Sequence, residues 1–300
     1  MSSGGSVADE WQVPTTTDSG IPGDPTTDWA PTGIDVDKPS AARVYDAILG
    51  GKDNFAVDRA IADRVLTVMP NARTGAMLNR AILERGVRYL AGRGVDQFLD
   101  LGSGLPTVRN THEVAQETNP QARVAYVDHD PIVVAHGRAL LADDDRTRVV
   151  TADVREPHKV LTHPDVVQLL DFTRPVGLLL VAVLHHLADA DEPARLVREY
   201  RDALAPGSFL FITHFSDSTP EGRELEKVFL ATLGSGRFRS RATVEDFFTG
   251  TDLVEPGVVF LPRWRPDRPV TDEAAYAGLG MIGGIGRLPD RVDEMRSSGA

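Results

Sequence analysis

The chain has 300 residues, enough for one large domain or two small ones with a sizeable buried core. Its 41% apolar and 25% charged residues suit a globular protein. No run nears the ~20 apolar residues that span a bilayer, and the lack of cysteine removes disulfides, thiolate nucleophiles and thiolate-bound zinc. Of the net charge of −12, seven acids uncompensated by Lys or Arg lie in the first 37 residues, and the rest of the chain stands at −5, which argues against a groove tracking nucleic-acid phosphates.

Residues 1–38, rich in Pro, Gly, Ser, Thr and Asp, are predicted to form a disordered acidic tail. The first twenty lack the basic and apolar regions of a secretory signal, so a cytoplasmic protein is expected. Helical spacing begins near residue 39. "SAARVYDAILGG" offers Ser40 as N-cap, apolar Ala41, Val44, Tyr45 and Ile48, and two closing glycines. "AVDRAIADRVLTV" and "NARTGAMLNRAILERGVRYLAGRG" predict two further helices, the second stopping at Gly92 and Gly94. Together residues 39–95 form a helical cover.

From residue 96 the rhythm is strand, turn, helix. Strands are predicted at 97–101, 122–130, 147–154, 176–184 and 208–216, and helices at 107–119, 131–143 and 191–207. The run "VGLLLVAVL" is apolar throughout, as in a central parallel strand buried on both faces. Five strands alternating with helices imply a doubly wound, mostly parallel α/β sheet. Beyond residue 220 a helix at 222–233, a Thr-capped helix at "TVEDFF", and strands near "GVVFLPRW" and "YAGLGMIGGIGR" close it at seven strands. The core is placed at 96–290 and a flexible terminus at 291–300. "GRFRSRATV" is read as a solvated helix start.

The first strand runs into glycines in "FLDLGSGLPT". Gly102, Ser103 and Gly104 let a ligand approach the backbone below a helix N-terminus. A dinucleotide-binding G-x-G-x-x-G would need glycine where Thr107 stands, and Asp100 would repel a pyrophosphate. Those two residues count against an NAD-dependent oxidoreductase and for a cationic ligand. Asp128 ends the second strand, where an acid can accept both ribose hydroxyls, and His129 follows it. Asp153 is placed to accept from an adenine amine, with Val154 offering its N–H. S-adenosylmethionine, a cationic nucleoside with an amino-acid tail, fits these parts.

At these residues the chain resembles the class I S-adenosylmethionine-dependent methyltransferases. More narrowly it is similar to an actinobacterial-type S-adenosyl methyltransferase family of unassigned substrate. The matching blocks are "SAARVYDAILGGKDNFAVDR", "QFLDLGSGLPTVRNTHE", "ARVAYVDHDPIVVAHGRALLA", "LLLVAVLHHLAD", "LAPGSFLFITHF" and "LVEPGVVFLPRWRPD", spanning about residues 39 to 290. His129 departs from the asparagine more usual there. The resemblance implies a Rossmann-like sheet, S-adenosylmethionine as cofactor and methyl transfer. It also makes the cover segment functional, with Tyr45, Gly51 and Asn54 meeting the methionine end or the acceptor. Arg80, a polar residue between apolar neighbours in its helix, is read either as pairing with the cofactor carboxylate or as facing solvent.

His186, in an "LHHL" run like those of small-molecule methyltransferases, and His214, at the end of the fifth strand, are candidate bases. The histidines and carboxylates lack metal-ligand spacing, so no metal is expected. Glu113 is read as solvated, and Ser103 and Ser208 as turn residues without triad partners. A small-molecule acceptor, no nucleic acid and no membrane are expected, with a homodimer left open. The competing reading is a non-catalytic S-adenosylmethionine-binding regulator, which would lack an acceptor cavity.

Overall fold

Apolar residues at helical spacing build three helices ahead of the sheet: α1 (Ala41–Leu49), α2 (Ala56–Val68) and α3 (Ala72–Gly92). The computed structural model describes residues 35–107, 109–140 and 145–290; nearly all of the predicted tail and all of the predicted flexible terminus lie outside the described residues. Gly50, at φ 86°, ends α1 as expected. Ser40 occupies the N-cap position without capping, because its hydroxyl donates to the Asp130 carboxylate instead. Gly92 is the last residue of α3, and Gly94, at φ 88°, makes the left-handed turn.

The alternating region follows as β1 (Gln97–Leu101), α4 (Thr111–Thr118), β2 (Arg123–Asp128), α5 (Pro131–Leu140) and β3 (Thr147–Thr151). Then come α6 (Pro157–Leu161), α7 (Pro164–Leu169), β4 (Gly177–Val181), α8 (Pro193–Asp202), β5 (Phe209–Phe215) and α9 (Pro220–Leu233). The last elements are α10 (Arg241–Asp246), β6 (Asp252–Leu253), β7 (Val259–Phe260), α11 (Asp272–Ala277) and β8 (Met281–Arg287). Seven strands run in the order β3-β2-β1-β4-β5-β8-β6, and the two-residue β7 pairs with β8 as an eighth. β1 to β5 are parallel, and β8 is antiparallel to β5.

Side chains alternate between the two faces of the sheet. Leu99, Leu101, Leu178 and Leu180 pack in one layer with Leu196 and Tyr200 of α8. Phe98, Leu179 and Phe211 pack in the other with Ile82, Val87 and Leu90 of α3. Burial on both faces explains the unbroken apolar run of β4.

Local chemistry moved several boundaries. α4 begins at residue 111 because Asn110 and Glu113 form a capping box: the Glu113 carboxylate, exposed as expected, also accepts Asn110 N–H at 2.6 Å. Ser240, not Thr243, caps α10, its Oγ accepting Thr243 N–H at 3.2 Å. Helices α6, α7 and α11 are too short to carry a readable apolar period.

Candidate active site

The strand order reverses between β1 and β4, and their carboxyl ends open into a cavity of about 650 Å³. Gly102, Ser103 and Gly104 form its floor, both glycines at φ 67°. Gly102 N–H donates to Val127 O at 2.8 Å, and Gly104 N–H to Asp128 Oδ2 at 2.9 Å. The other Asp128 oxygen, Oδ1, accepts Asp130 N–H at 2.9 Å. Asp130 in turn accepts Ile132 N–H at 2.9 Å at the start of α5, which leaves Asp128 free of that capping duty. Asp128 is buried and lines the cavity. Burial pushes its carboxyl up from the ordinary value, against the pull of the two amides. Each oxygen has spent one lone pair on a backbone amide and keeps another.

The two glycines differ in what a side chain would meet. A Cβ on Gly102 overlaps Val183, whereas one on Gly104 points into open space. Gly102→Ala is therefore expected to cost about 2–4 kcal/mol, left-handed strain plus clash. Gly104→Ala is expected to cost about 1–2 kcal/mol, from strain alone. Thermal unfolding of the two variants checks the order.

Asp100, at the end of β1, is buried and accepts Thr111 Oγ1–H at 2.7 Å. Burial pushes its carboxyl up to about 6, with Thr111 and the Arg80 charge acting the other way. Arg80 of α3 turns inward to the cavity rather than out to solvent, and its Nη2 donates to Arg109 O at 3.2 Å. Asp153 and Val154 line the wall after β3. The Asp153 carboxylate is already held by Arg155, with Nε 3.0 Å from each oxygen, and this pairing holds it below the usual carboxylate range. His129 lies at the rim, largely exposed, with Nδ1 3.8 Å from Asp128 Oδ1.

Residues of α1, α2 and α3 also line the cavity. Tyr45 lines the cavity and donates to Ala76 O at 3.0 Å. Gly51 and Asn54 lie outside the cavity lining, contrary to the sequence reading. Their loop is wrapped around Asp46, whose Oδ2 accepts Asp53 N–H at 2.9 Å and Asn54 Nδ2–H at 2.7 Å. A Cβ on Gly51 would overlap the Asp46 carboxylate, so the glycine serves that turn rather than a ligand.

The histidines separate in the same way. His186 lines the cavity, its Nδ1 3.0 Å from Ser235 Oγ, and burial lowers it to about 4. His214 does not reach the rim. It is fully buried, with Nδ1 2.7 Å from Phe215 O and Nε2 3.2 Å from Arg239 Nη1. Arg239 can only donate, so His214 carries its proton on Nδ1 and has both nitrogens engaged. Burial lowers it to about 3. It is a buried link, not a base at the cavity.

Arg239 itself belongs to the stretch read as a solvated basic patch. It is buried and donates to Leu184 O and Leu187 O at 3.0 Å each and to Asp189 Oδ1 at 2.9 Å. The turn that carries His185 and His186 is thus clamped from within. Ser208 is also structural, its Oγ accepting Val176 N–H at 3.0 Å.

Sequence reasoning missed Ser235, Ala182 and the part played by Asn79. Ala182, just past β4, has φ 56° and donates to Thr213 Oγ1 at 2.9 Å; Thr213 Oγ1 donates to Asn79 Oδ1 at 2.7 Å. This chain ties α3 to the strand ends and holds a strained alanine at the cavity wall. Its members are far apart in sequence and carry no local signal.

A family described as S-adenosyl methyltransferase matches residues 27–289. The chain belongs to this S-adenosyl methyltransferase family. A presumed methyltransferase from Thermobifida fusca YX is similar to it at 51% identity, over 88% of this chain and 100% of that one, with a TM-score of 0.84. A DUF574 family protein from Streptomyces avermitilis MA-4680 is 36% identical over 85% of this chain and 100% of that one, with a TM-score of 0.81. No curated protein matches the chain. The family membership supports S-adenosylmethionine as the methyl donor, in line with the acid-lined cavity of this methyltransferase. Among the described residues, no helix is long and apolar enough to cross a membrane.

Proposed function

We propose that this methyltransferase moves a methyl group from S-adenosylmethionine to a small-molecule acceptor, with the donor held across the carboxyl ends of β1, β2 and β3. The observation that carries the reading is the Asp128 carboxylate. It is buried at the cavity wall, holds Gly104 of the glycine loop through Oδ2 and Asp130 of its own turn through Oδ1, and retains one lone pair on each oxygen for the ribose hydroxyls. The charges suit the donor along its length. Asp100 faces its cationic end, Arg80 and Tyr45 its carboxylate, Gly102, Ser103 and Gly104 its backbone-facing side. Asp153, Val154 and His129 flank the adenosine. Gly51 and Asn54 act only by supporting the cover loop around Asp46.

Once bound, S-adenosylmethionine supplies a methyl group already activated on a sulfonium, so the residues here need to align, exclude water and move a proton. His186 is the group we assign to the proton. Its neutral ring is oriented by Ser235 through Nδ1, which leaves Nε2 for the acceptor. The cavity also extends beyond the acids to residues of α2 and α9, space that a cofactor-binding regulator does not need.

Titration calorimetry with S-adenosylmethionine, S-adenosylhomocysteine and NAD tests the donor. Binding of the first two and not the third is expected; absence of both adenosyl compounds from the site overturns the reading. Incubation of a metabolite extract with labelled donor then tests transfer.

Asp100 gives the binding a pH dependence. Burial pushes its carboxyl up to about 6 from 3.8, so ionising it costs stability as pH rises between those values. A bound cation favours the ionised form and restores what was lost. Affinity for S-adenosylmethionine should therefore fall as pH drops below about 6, by up to tenfold per unit, with one proton released per cation bound. The uncharged sulfur of S-adenosylhomocysteine should give a shallower slope. Calorimetry from pH 5 to 8 in buffers of different ionisation enthalpy reads both.

A further inference from the structure

We infer that the acceptor is an uncharged, flat aromatic molecule with one hydroxyl group, seated in the apolar half of the cavity with that hydroxyl against His186. The inference rests on the methyltransferase reading above and narrows its substrate.

The cavity has two unlike halves. The strand-end half carries Asp100, Asp128, Asp130 and Asp153. The half beneath the cover is walled by Met69, Phe215, Leu225, Phe229, Leu233 and Met281. Most of this wall belongs to, or packs against, the cluster that joins α1, α2 and α9. A molecule that reaches past the cofactor meets hydrocarbon there.

The aromatic members favour a ring over an aliphatic chain. Phe229 lies parallel to His186, planes 5° apart and centroids 6.2 Å apart, and edge-on to Phe215 at 76° and 5.7 Å. Phe215, Phe229 and His186 all line the cavity, and aromatic side chains favour a flat ring, which can meet them face-on or edge-on.

Charge narrows the class further. The cations around the cavity are already engaged: Arg43 with Asp58 at 2.8 Å, Arg155 with Asp153, and Lys38 with Asp35 at 3.3 Å. Arg80 donates to Arg109 O, and its charge acts on Asp100. Burial keeps both His185 and His186 neutral. An anionic acceptor would give up its hydration in the apolar half without a counter-charge. A cationic one would be drawn to the carboxylates that the donor needs.

The hydroxyl is assigned by His186. In the tautomer where Nδ1–H donates to Ser235 Oγ, Nε2 is the ring nitrogen left to receive an O–H. In the transfer, an oxygen lone pair forms the new O–CH₃ bond while the methyl–sulfur bond breaks and its electron pair stays on sulfur. The hydroxyl proton passes to Nε2. The positive charge thus moves from sulfur to the imidazole, and no further reactant is required.

The test is calorimetric titration of the chain loaded with S-adenosylhomocysteine, using three probes: 2-naphthol, its anionic counterpart 2-naphthoate, and the saturated decahydro-2-naphthol. The naphthol is expected to bind about five- to tenfold more tightly than the saturated alcohol, and about a hundredfold more tightly than the carboxylate. Phe229→Leu, which keeps an apolar side chain and removes the ring, should abolish the preference for naphthol over the saturated alcohol while S-adenosylhomocysteine binds as before. Should the carboxylate or the saturated alcohol bind as well as the naphthol, or should none bind to the loaded chain, the acceptor class is wrong and the donor reading stands. Failure of S-adenosylhomocysteine itself to bind strikes at the donor reading instead. Titrating the probes into the unloaded parent chain then judges the apolar half, and binding of the carboxylate or the saturated alcohol there as tightly as the naphthol would sink the inference.

Discussion

Replacing Asp128 with alanine is expected to weaken S-adenosylmethionine binding about a hundredfold, near 3 kcal/mol, with S-adenosylhomocysteine affected alike. The size of the effect comes from the double duty of this carboxylate. Its two oxygens hold the amides of Gly104 and Asp130, each at 2.9 Å, and the same oxygens face the cavity. Alanine removes the ribose acceptors and leaves both loop amides without their partner. An amide of the same shape is no rescue in this setting. Asp128→Asn turns one acceptor oxygen into a donor pointed at a backbone N–H, so its loss should approach that of alanine. Titration calorimetry on both variants checks this, with thermal unfolding to confirm that each is folded. An asparagine variant that binds like the parent would remove Asp128 from the donor site.

Arg239→Ala is expected to cost about 3–5 kcal/mol of stability, or roughly 10 °C in midpoint, because it strips two carbonyls of their buried donor. Leu184 O, Leu187 O and Asp189 Oδ1 converge on the guanidinium, and His214 Nε2 completes the ring of acceptors. Lysine keeps the charge but cannot reach all four from one ammonium, so Arg239→Lys should recover only part of the loss. The turn under this clamp bears His186, and its loosening should reach the acceptor side before the donor side. A stability change under about 1 kcal/mol in thermal unfolding would show that the clamp is not needed to hold the turn.

Much of the fold was legible from short-range pattern. The span of β1 and that of α2 match the sequence reading residue for residue, and the buried run of β4 announced itself by having no polar alternation. The donor half of the site was legible for a related reason. Gly102 and Gly104 need a left-handed backbone, and Asp100 and Asp128 sit at strand ends, which are positions a pattern can locate. Histidines, arginines and cover-loop residues carried no such mark. "LHHL" and "FLFITH" look equally fit to place a base at a rim, yet His186 lines the cavity and His214 is sealed beneath it.

The sequence by itself determined the strand-turn-helix order, the glycine loop and the acids that follow the strands. Those features follow from backbone preference and apolar period, which act over a few neighbouring residues. Tertiary structure alone decided that Arg80 faces inward, that Gly51 and Asn54 serve Asp46, and that Arg239 rather than solvent meets the His214 ring. It also decided that Asn79 meets Thr213 across 134 residues. Each of these depends on which distant groups burial brings within hydrogen-bond reach, and no local period encodes that distance.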